Sequence, residues 1–524
     1  MRNSLLRLAG VAMFTVFAVA GCVAPTYDVI LRGGQVLDGT GSAPVVADVA
    51  ILGRRIAAVG DLGGANAPLE LDVTGLYVSP GFIDVHSHSG PGLATEGLSH
   101  AEPLLAQGLT TVVVNPDGGG GVDIGAQRGA LEEHGLGVNA VQLVPHGSVR
   151  RQVIGTADRA PTEEELDTMR GLVRAGMEEG AWGLSSGTFY SPGSYSENSE
   201  LVELSKVVAE FDGIYTSHIR DESNYTIGVV AAVEEVIEVG REAGVTAVVT
   251  HIKALGPPVW GTSETIVERI QAARDAGVSI YADQYPYPAS ATGLGAALLP
   301  RWSQAGGADS LLARLDDRPT FARIREAMVD NLARRGGADR IQFRRFRPDP
   351  SIEGRLLSDL ASEQGKDPID VAVGLLREGG ASIVSFNMSD EDVHTFMVQE
   401  WTMTSSDGDL PEFEVGVPHP RSYGAFPRKI SKYVVEDEVV SLESAIRSMT
   451  SLPAEVMGMT DRGTLAEGAI ADVVVFSGDF QDQATFTQPH QLATGAVHVF
   501  VAGEAAIQGS EFTGTRAGAV LRKD

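Results

Sequence analysis

The sequence predicts an α/β fold: a (β/α)8 TIM-like barrel, a small β-sandwich built from both termini, and an inserted lid region. Three observations carry that prediction. The middle of the chain alternates short apolar runs with helix-period segments, at a spacing of about 30 residues, as βα units of a parallel sheet do. Both ends are turn-rich and alternate apolar with polar residues, as half-buried strands do. One stretch after the seventh strand candidate breaks the rhythm, as an insertion would. At 524 residues and 43% hydrophobic, the chain can bury more core than a single small domain holds.

The elements follow in order. Residues 1–22 begin with Arg2 and Arg7, continue as a short apolar run, and end in small residues before Cys22, a signal-peptide pattern. Val19-Ala20-Gly21-Cys22 resembles the bacterial lipobox. The expectation is a lipoprotein in the bacterial cell envelope. It would be extracytoplasmic, on the periplasmic or outer-membrane side, and anchored through Cys22 without spanning the membrane. An uncleaved anchor and an ordinary secretion signal are the alternatives. Cys22 is the only cysteine, so no intramolecular disulfide can form. From Tyr27, the segments YDVILRGGQVLDGTG, VVADVAILGRRIAAVG and LELDVTGLYVSP read as strands with Gly turns. ADVVVFSGDF (471–480) and VHVFVAGEAAI (497–507) have the same character, so residues 27–78 and 464–512 are expected to share the sandwich.

Residues 79–463 are then the barrel. Its strand candidates include GLTTVVVN (108–115), NAVQLVPHG (139–147), WGLSSG, YTSH (215–218), VTAVVTH (245–251), VSIYADQYPY (278–287) and TMTSSDG, which ends at Gly408. Helical spacing marks EEELDTMRGLVRAGMEEG and TIGVVAAVEEVIEVGREAG between them. With roughly eight units, a closed barrel is favoured over an open sheet. ASIVSFN (381–387) is one strand candidate too many. Residues 291 to about 350 form the expected insertion on the active face. The run DGGGG (117–121) reads as a loop that lets backbone approach something closely.

The charge is strongly acidic, 69 Asp+Glu against 40 Lys+Arg, a formal net of -29. That argues against nucleic acid or anionic lipid as a partner of the folded part. Membrane contact is expected only through the N-terminal lipid, and no oligomeric state follows from the sequence.

SPGFIDVHSH places His86 and His88 one residue apart, so in a strand both side chains face the same way. The pair alone is a weak signal. His218 ends GIYTSH, His251 ends VTAVVTH, Asp117 follows TTVVVNP, and Asp407 follows TMTSS. Each falls just past the carboxyl end of a predicted strand, where barrel enzymes place their chemistry. Singly, each reads as an ordinary buried polar residue. As a set, four imidazoles and two carboxylates suit one or two borderline divalent ions such as Zn2+.

These residues also carry a family resemblance. SPGFIDVHSH, the strand-end His218, His251 and Asp407, and DRGTLAEGAIADVVVF (461–476) are similar to the amidohydrolase superfamily. Within it, the chain resembles the D-aminoacylase group, the N-acyl-D-amino-acid deacylases. That likeness rests on YDVILRGGQVLDGTG (27–41), SHIRDES (217–223), THIKALG (250–256), DQYPYPAS (283–290), SSDG with VPHPRSYG (405–424), and TGTRAGAVLR (513–522). The resemblance implies that His86 and His88 bind one metal and that His218 and His251 bind the other. It implies Asp407 as the catalytic acid/base beside a metal-bound hydroxide. Lys253 and Arg421 match substrate-contacting positions, and Tyr190 and Tyr285 match pocket residues. The implied substrate is an N-acyl-D-amino acid or a D-containing dipeptide, cut at a linear C–N bond.

There is one clear departure. The group's pattern resembles GLTTVVVNPDGG, with a metal-bridging Cys where this chain has Asp117. A carboxylate can bridge too, and its harder oxygen would move preference from Zn2+ toward Mn2+ or Fe2+. The alternative is a loop Asp117 beside a single metal. The fourth strand, WGLSSGTFY, offers no Lys for the carboxylated-lysine bridge of other amidohydrolases. Competing functions are a cyclic-amide hydrolase of hydantoinase or dihydroorotase type, and a surface lipoprotein that binds ligand through a decayed site.

Overall fold

Eight parallel strands ring the centre of the molecule in a computed structural model that describes residues 26–523. They are β1 (Phe82–Asp84), β2 (Leu109–Val114), β3 (Asn139–Gln142, continued by Val144–Pro145), β4 (Gly183–Gly187), β5 (Ile214–His218), β6 (Thr246–Val249), β7 (Ile280–Gln284) and β8 (Thr402–Thr404). Each pairs in parallel with the next. The ring closes where the Asp407 amide donates to the His86 carbonyl and the His88 amide to the Gly408 carbonyl, both at 2.9 Å. This is the expected (β/α)8 barrel. The expected signal peptide and lipobox Cys22 lie outside the described residues. Among those residues, no helix is long and apolar enough to cross a membrane.

The strands form because their residues are β-branched and both faces are covered: every residue of Leu109–Val114 is buried. The helices form because one face of each is apolar. In Glu163–Glu178 the buried face is Met169, Val173 and Met177, which joins Val144 and Leu184 in one core. That helix starts at Thr162, whose side chain exchanges hydrogen bonds with Glu165 in a capping box. Val229–Ala243 ends at Gly244, which adopts the left-handed conformation that glycine tolerates best. The register sets the site: Gly187 pairs with His218 and Ser217 with Val249. His218 and His251 therefore emerge on one rim.

A nine-stranded sheet from both ends of the chain makes the β-sandwich. Tyr77–Pro80 joins the two contributions, pairing in parallel with Val29–Val36 and antiparallel with Val473–Gln481. Its core combines Leu31, Val49 and Ile51 with Val473, Val475 and Phe500.

Two expectations need correction. ASIVSFN is no barrel strand: Ser382–Ser385 is the centre of a three-stranded antiparallel sheet between Ser290–Gly293 and Ile341–Arg345. The interruption is also longer than 291–350, since β7 ends at Gln284 and β8 begins at Thr402. It folds around its own core, which includes Leu298, Ile324, Phe343, Leu360 and Ile383. Beyond the sandwich segments the chain returns to the barrel. Val520–Leu521 pairs in parallel with β3 at Ala140 and Val141.

Candidate metal centre

The rim brings the strand-end residues together in two overlapping groups, His86, His88, Asp117 and Asp407, and Asp117, His218 and His251. Within each group the ligand atoms lie within 4.8 Å of one another. Asp117 belongs to both. Its Oδ1 lies 3.3 Å from His86 Nε2, 3.6 Å from His218 Nδ1 and 3.4 Å from His251 Nε2. Its Oδ2 lies 3.4 Å from His88 Nε2. Asp407 Oδ1 stands 3.7 Å from His86 Nε2 and 3.2 Å from His88 Nε2.

Local structure explains the convergence. The backbone hydrogen bonds that close the barrel also align His86 and His88 with Asp407. Asp117, His251 and Asp407 all have left-handed backbones, with φ of 56°, 36° and 50°. Such conformations cost free energy in a non-glycine residue and persist where surrounding structure imposes them. Around Asp117 that structure is made of glycines. A Cβ on Gly187 would lie 2.1 Å from the Asp117 carbonyl oxygen, and one on Gly118 would lie 2.9 Å from the Gly147 nitrogen. The close approach implied by DGGGG is therefore to the ends of β3 and β4. Ser185 Oγ completes the clamp, donating to the Asn115 carbonyl at 2.5 Å and accepting from the Gly118 amide at 3.2 Å.

The donor set fits a divalent ion. His86 Nε2, Asp117 Oδ1 and both ring nitrogens of His218 are buried with no hydrogen-bond partner. Buried polar atoms are rarely left so, and three imidazole nitrogens near an unpartnered carboxylate oxygen mark a site built for a cation. Burial opposes ionisation of Asp117, but His86, His218 and His251 outweigh it and hold the carboxyl well below the usual range. Asp407 is likewise held low against burial, chiefly by Arg421 and then by His88 and His251.

Charged neighbours surround the centre. Arg421 Nη1 is 2.7 Å from Asp407 Oδ2. Lys253 Nζ is 2.5 Å from Glu222 Oε1 and 2.7 Å from His251 Nδ1. The Tyr285 ring lies under both cations, 4.7 Å from the Arg421 guanidinium carbon and 5.6 Å from Lys253 Nζ. Its hydroxyl is turned toward Met388 sulfur, 3.6 Å away. The Tyr190 ring sits 4.6 Å from that of His218, and its hydroxyl is 3.3 Å from Thr292 Oγ1. These residues line one cavity of about 920 Å3 that opens over the metal groups. His146 is elsewhere: it is buried, with Nε2 2.7 Å from Glu200 Oε1. His419 positions Arg421, accepting the Arg421 amide at Nδ1 (3.1 Å) while Nε2 donates to the Ala289 carbonyl (3.0 Å).

Sequence reasoning overlooked three acids. Glu222 Oε1 lies 3.3 Å from His251 Nδ1 and accepts from Lys253 Nζ at 2.5 Å, so it stands behind both groups as their shared counter-charge. Asp283 accepts the His251 amide at 2.9 Å and the Ser405 hydroxyl at 2.6 Å. Asp84 accepts the amides of His86 and Ser406. The only sequence clue was their place within the motifs SHIRDES, DQYPYPAS and GFIDVHSH.

A model of the amidohydrolase family matches residues 70–507. The N-acyl-D-glutamate deacylase of Alcaligenes xylosoxydans xylosoxydans is 35% identical over 526 residues, covering 95% of this chain and 97% of that protein. A D-aminoacylase of the same organism is 35% identical over 521 residues, covering 95% and 98%. Among solved structures, N-acyl-D-glutamate deacylase from Bordetella bronchiseptica superimposes with a TM-score of 0.81 at 34% identity. The match covers 95% of this chain and 100% of that one. That protein was crystallised with zinc and a phosphonate inhibitor described as a mimic of the tetrahedral reaction intermediate.

Proposed function

Because this chain belongs to the amidohydrolase family, we propose that its metal centre hydrolyses the linear amide bond of N-acyl-D-amino acids. The observation that carries this reading is the meeting of four imidazoles with the carboxylates of Asp117 and Asp407, with Arg421 and Lys253 beside them in the same cavity. One or two divalent ions, zinc foremost, would be held by His86, His88, Asp117 and Asp407, and by Asp117, His218 and His251. Such an ion lowers the pKa of bound water to about 7 and polarises a carbonyl.

The protein's own residues do the rest. Asp407, ionised and buried, accepts the proton of the attacking water and returns it to the leaving nitrogen. Arg421 offers a planar guanidinium to the substrate carboxylate, which it can grip with two parallel hydrogen bonds. Lys253 adds a point charge, and Glu222 holds it in place. The Tyr285 and Tyr190 rings wall the cavity and keep these charges out of bulk water, where they would be screened. With Asp407→Asn, kcat on an N-acetyl-D-amino acid should fall about 1,000-fold, with zinc retained at the Asp117, His218 and His251 group. Unchanged turnover would remove Asp407 from the mechanism.

The location we propose is the bacterial cell envelope, with the enzyme tethered by lipid on Cys22. The reading is supported by the basic start, the apolar run and the small residues that precede Cys22.

A further inference from the structure

A second, apolar space adjoins the rim of the substrate cavity. It is a groove of about 380 Å3 in the insertion, walled by Leu294, Leu299, Leu311, Leu312 and Leu376. The polar side chains in it are those of Gln304 and Arg377, and Arg377 is held by Asp316 at 2.8 Å. A leucine-walled groove left open to water calls for an apolar occupant.

Two paired strands carry the passage between the spaces. Gly293 lines both of them. Ser382, its partner across the sheet, lines the cavity, and the adjoining Ala381 lines the groove. The passage starts close to the metal groups. The Tyr190 ring is 4.6 Å from that of His218, its hydroxyl is 3.3 Å from Thr292 Oγ1, and Gly293 is the next residue. The backbone does not demand glycine there, since φ is -76°, which any residue adopts. The missing side chain instead keeps the passage clear: a Cβ on Gly293 would meet nothing within 4 Å.

The chemistry of the substrate selects the occupant. Arg421 and Lys253 take the carboxylate, and the metal groups face the amide. Of the remaining parts, the acyl group is the one that can be a linear hydrocarbon long enough to leave the cavity. We propose that the groove takes the alkyl chain of a long-chain acyl group, so that the substrates include N-fatty-acyl-D-amino acids. The inference rests on the deacylase reading above. Water adds across the amide C–N bond, and the products are a free fatty acid and the D-amino acid.

The test gives the zinc-loaded protein N-acetyl-, N-octanoyl- and N-dodecanoyl-D-leucine, each below the concentration at which it forms micelles. For the wild type, kcat/KM should rise about twofold to fourfold for each CH2 that enters the groove. Leu312→Gln changes the groove wall and Gly293→Phe obstructs the passage, so each should flatten the rise from acetyl to dodecanoyl. A flat wild-type series would overturn the proposal, whether or not the variants fold. A rise that survives in both variants would also overturn it, because the chain would then lie elsewhere. So would an equal rise with N-acetyl-D-2-aminododecanoate, whose alkyl chain is on the other side of the amide. Turnover without chain-length preference would sink only the groove. Failure to hydrolyse any of the compounds would sink the deacylase reading and the groove with it.

Discussion

Asp117 is where the chemistry of single residues matters most, because one carboxylate faces imidazoles of both metal groups. A thiolate in that position would favour soft or borderline ions, whereas an oxygen ligand widens the choice toward Mn2+ and Fe2+. Lys429 is the second informative residue. It is buried beneath β8, donates to Thr404 and Ser448, and its pKa is lowered to about 7 by burial alone. Between about pH 7 and its unfolded value of about 10.4, the unfolded chain holds a proton that the folded one does not, so stability rises with pH. Lys429→Met should therefore be more stable than wild type near pH 6, and the gap should narrow as pH rises from 7 to 10. Paired thermal melts across that range check this, and a constant gap would contradict it. Thr404 and Ser448 already bond each other at 2.9 Å, so removing the ammonium should leave neither hydroxyl without a partner. The two kinds of residue differ in how they show in the sequence. His218, His251 and Asp407 were legible because each ends an apolar run. Glu222 and Lys429 were not, because their partners come from distant parts of the chain.

At the scale of elements, the barrel was legible from its period: apolar runs separated by amphipathic helices imply parallel strands whatever the details. ASIVSFN defeated that logic because it has the length and composition of a barrel strand. Only its antiparallel pairing with Ser290–Gly293 and Ile341–Arg345 distinguishes it, and pairing is non-local. The packing of strand ends was equally hidden. Gly187 looks like an ordinary strand end, yet its missing side chain makes room for the Asp117 carbonyl. Gly187→Ala should force β2 and β4 apart at the rim, destabilise the fold by about 1–3 kcal/mol and lower zinc occupancy. Calorimetry and metal analysis of the variant test this, and a protein with full zinc content and unchanged Tm would show that the contact yields without consequence.

The whole molecule combines an acidic folded body with a leader that reads as a lipidation signal. A net charge of -29 disfavours adsorption to anionic lipid, so the attachment to the envelope proposed above would depend on the lipid itself. In a bacterial host, wild type should incorporate labelled palmitate and Cys22→Ala should not; label in neither would remove the anchor. The site assembles only at this scale. The two metal groups draw on five strand ends, the insertion supplies one wall of the cavity, and both chain termini build the sandwich beside the barrel. The central claim is that this assembly is a metal-dependent deacylase of N-acyl-D-amino acids. Its most direct test is the hydrolysis of paired N-acetyl-D- and N-acetyl-L-amino acids by chelator-treated protein titrated with zinc. Release of the free D-amino acid alone, lost on chelation and restored by zinc, is the predicted result. Equal turnover of the L-compounds, or activity indifferent to chelation and zinc, would contradict it.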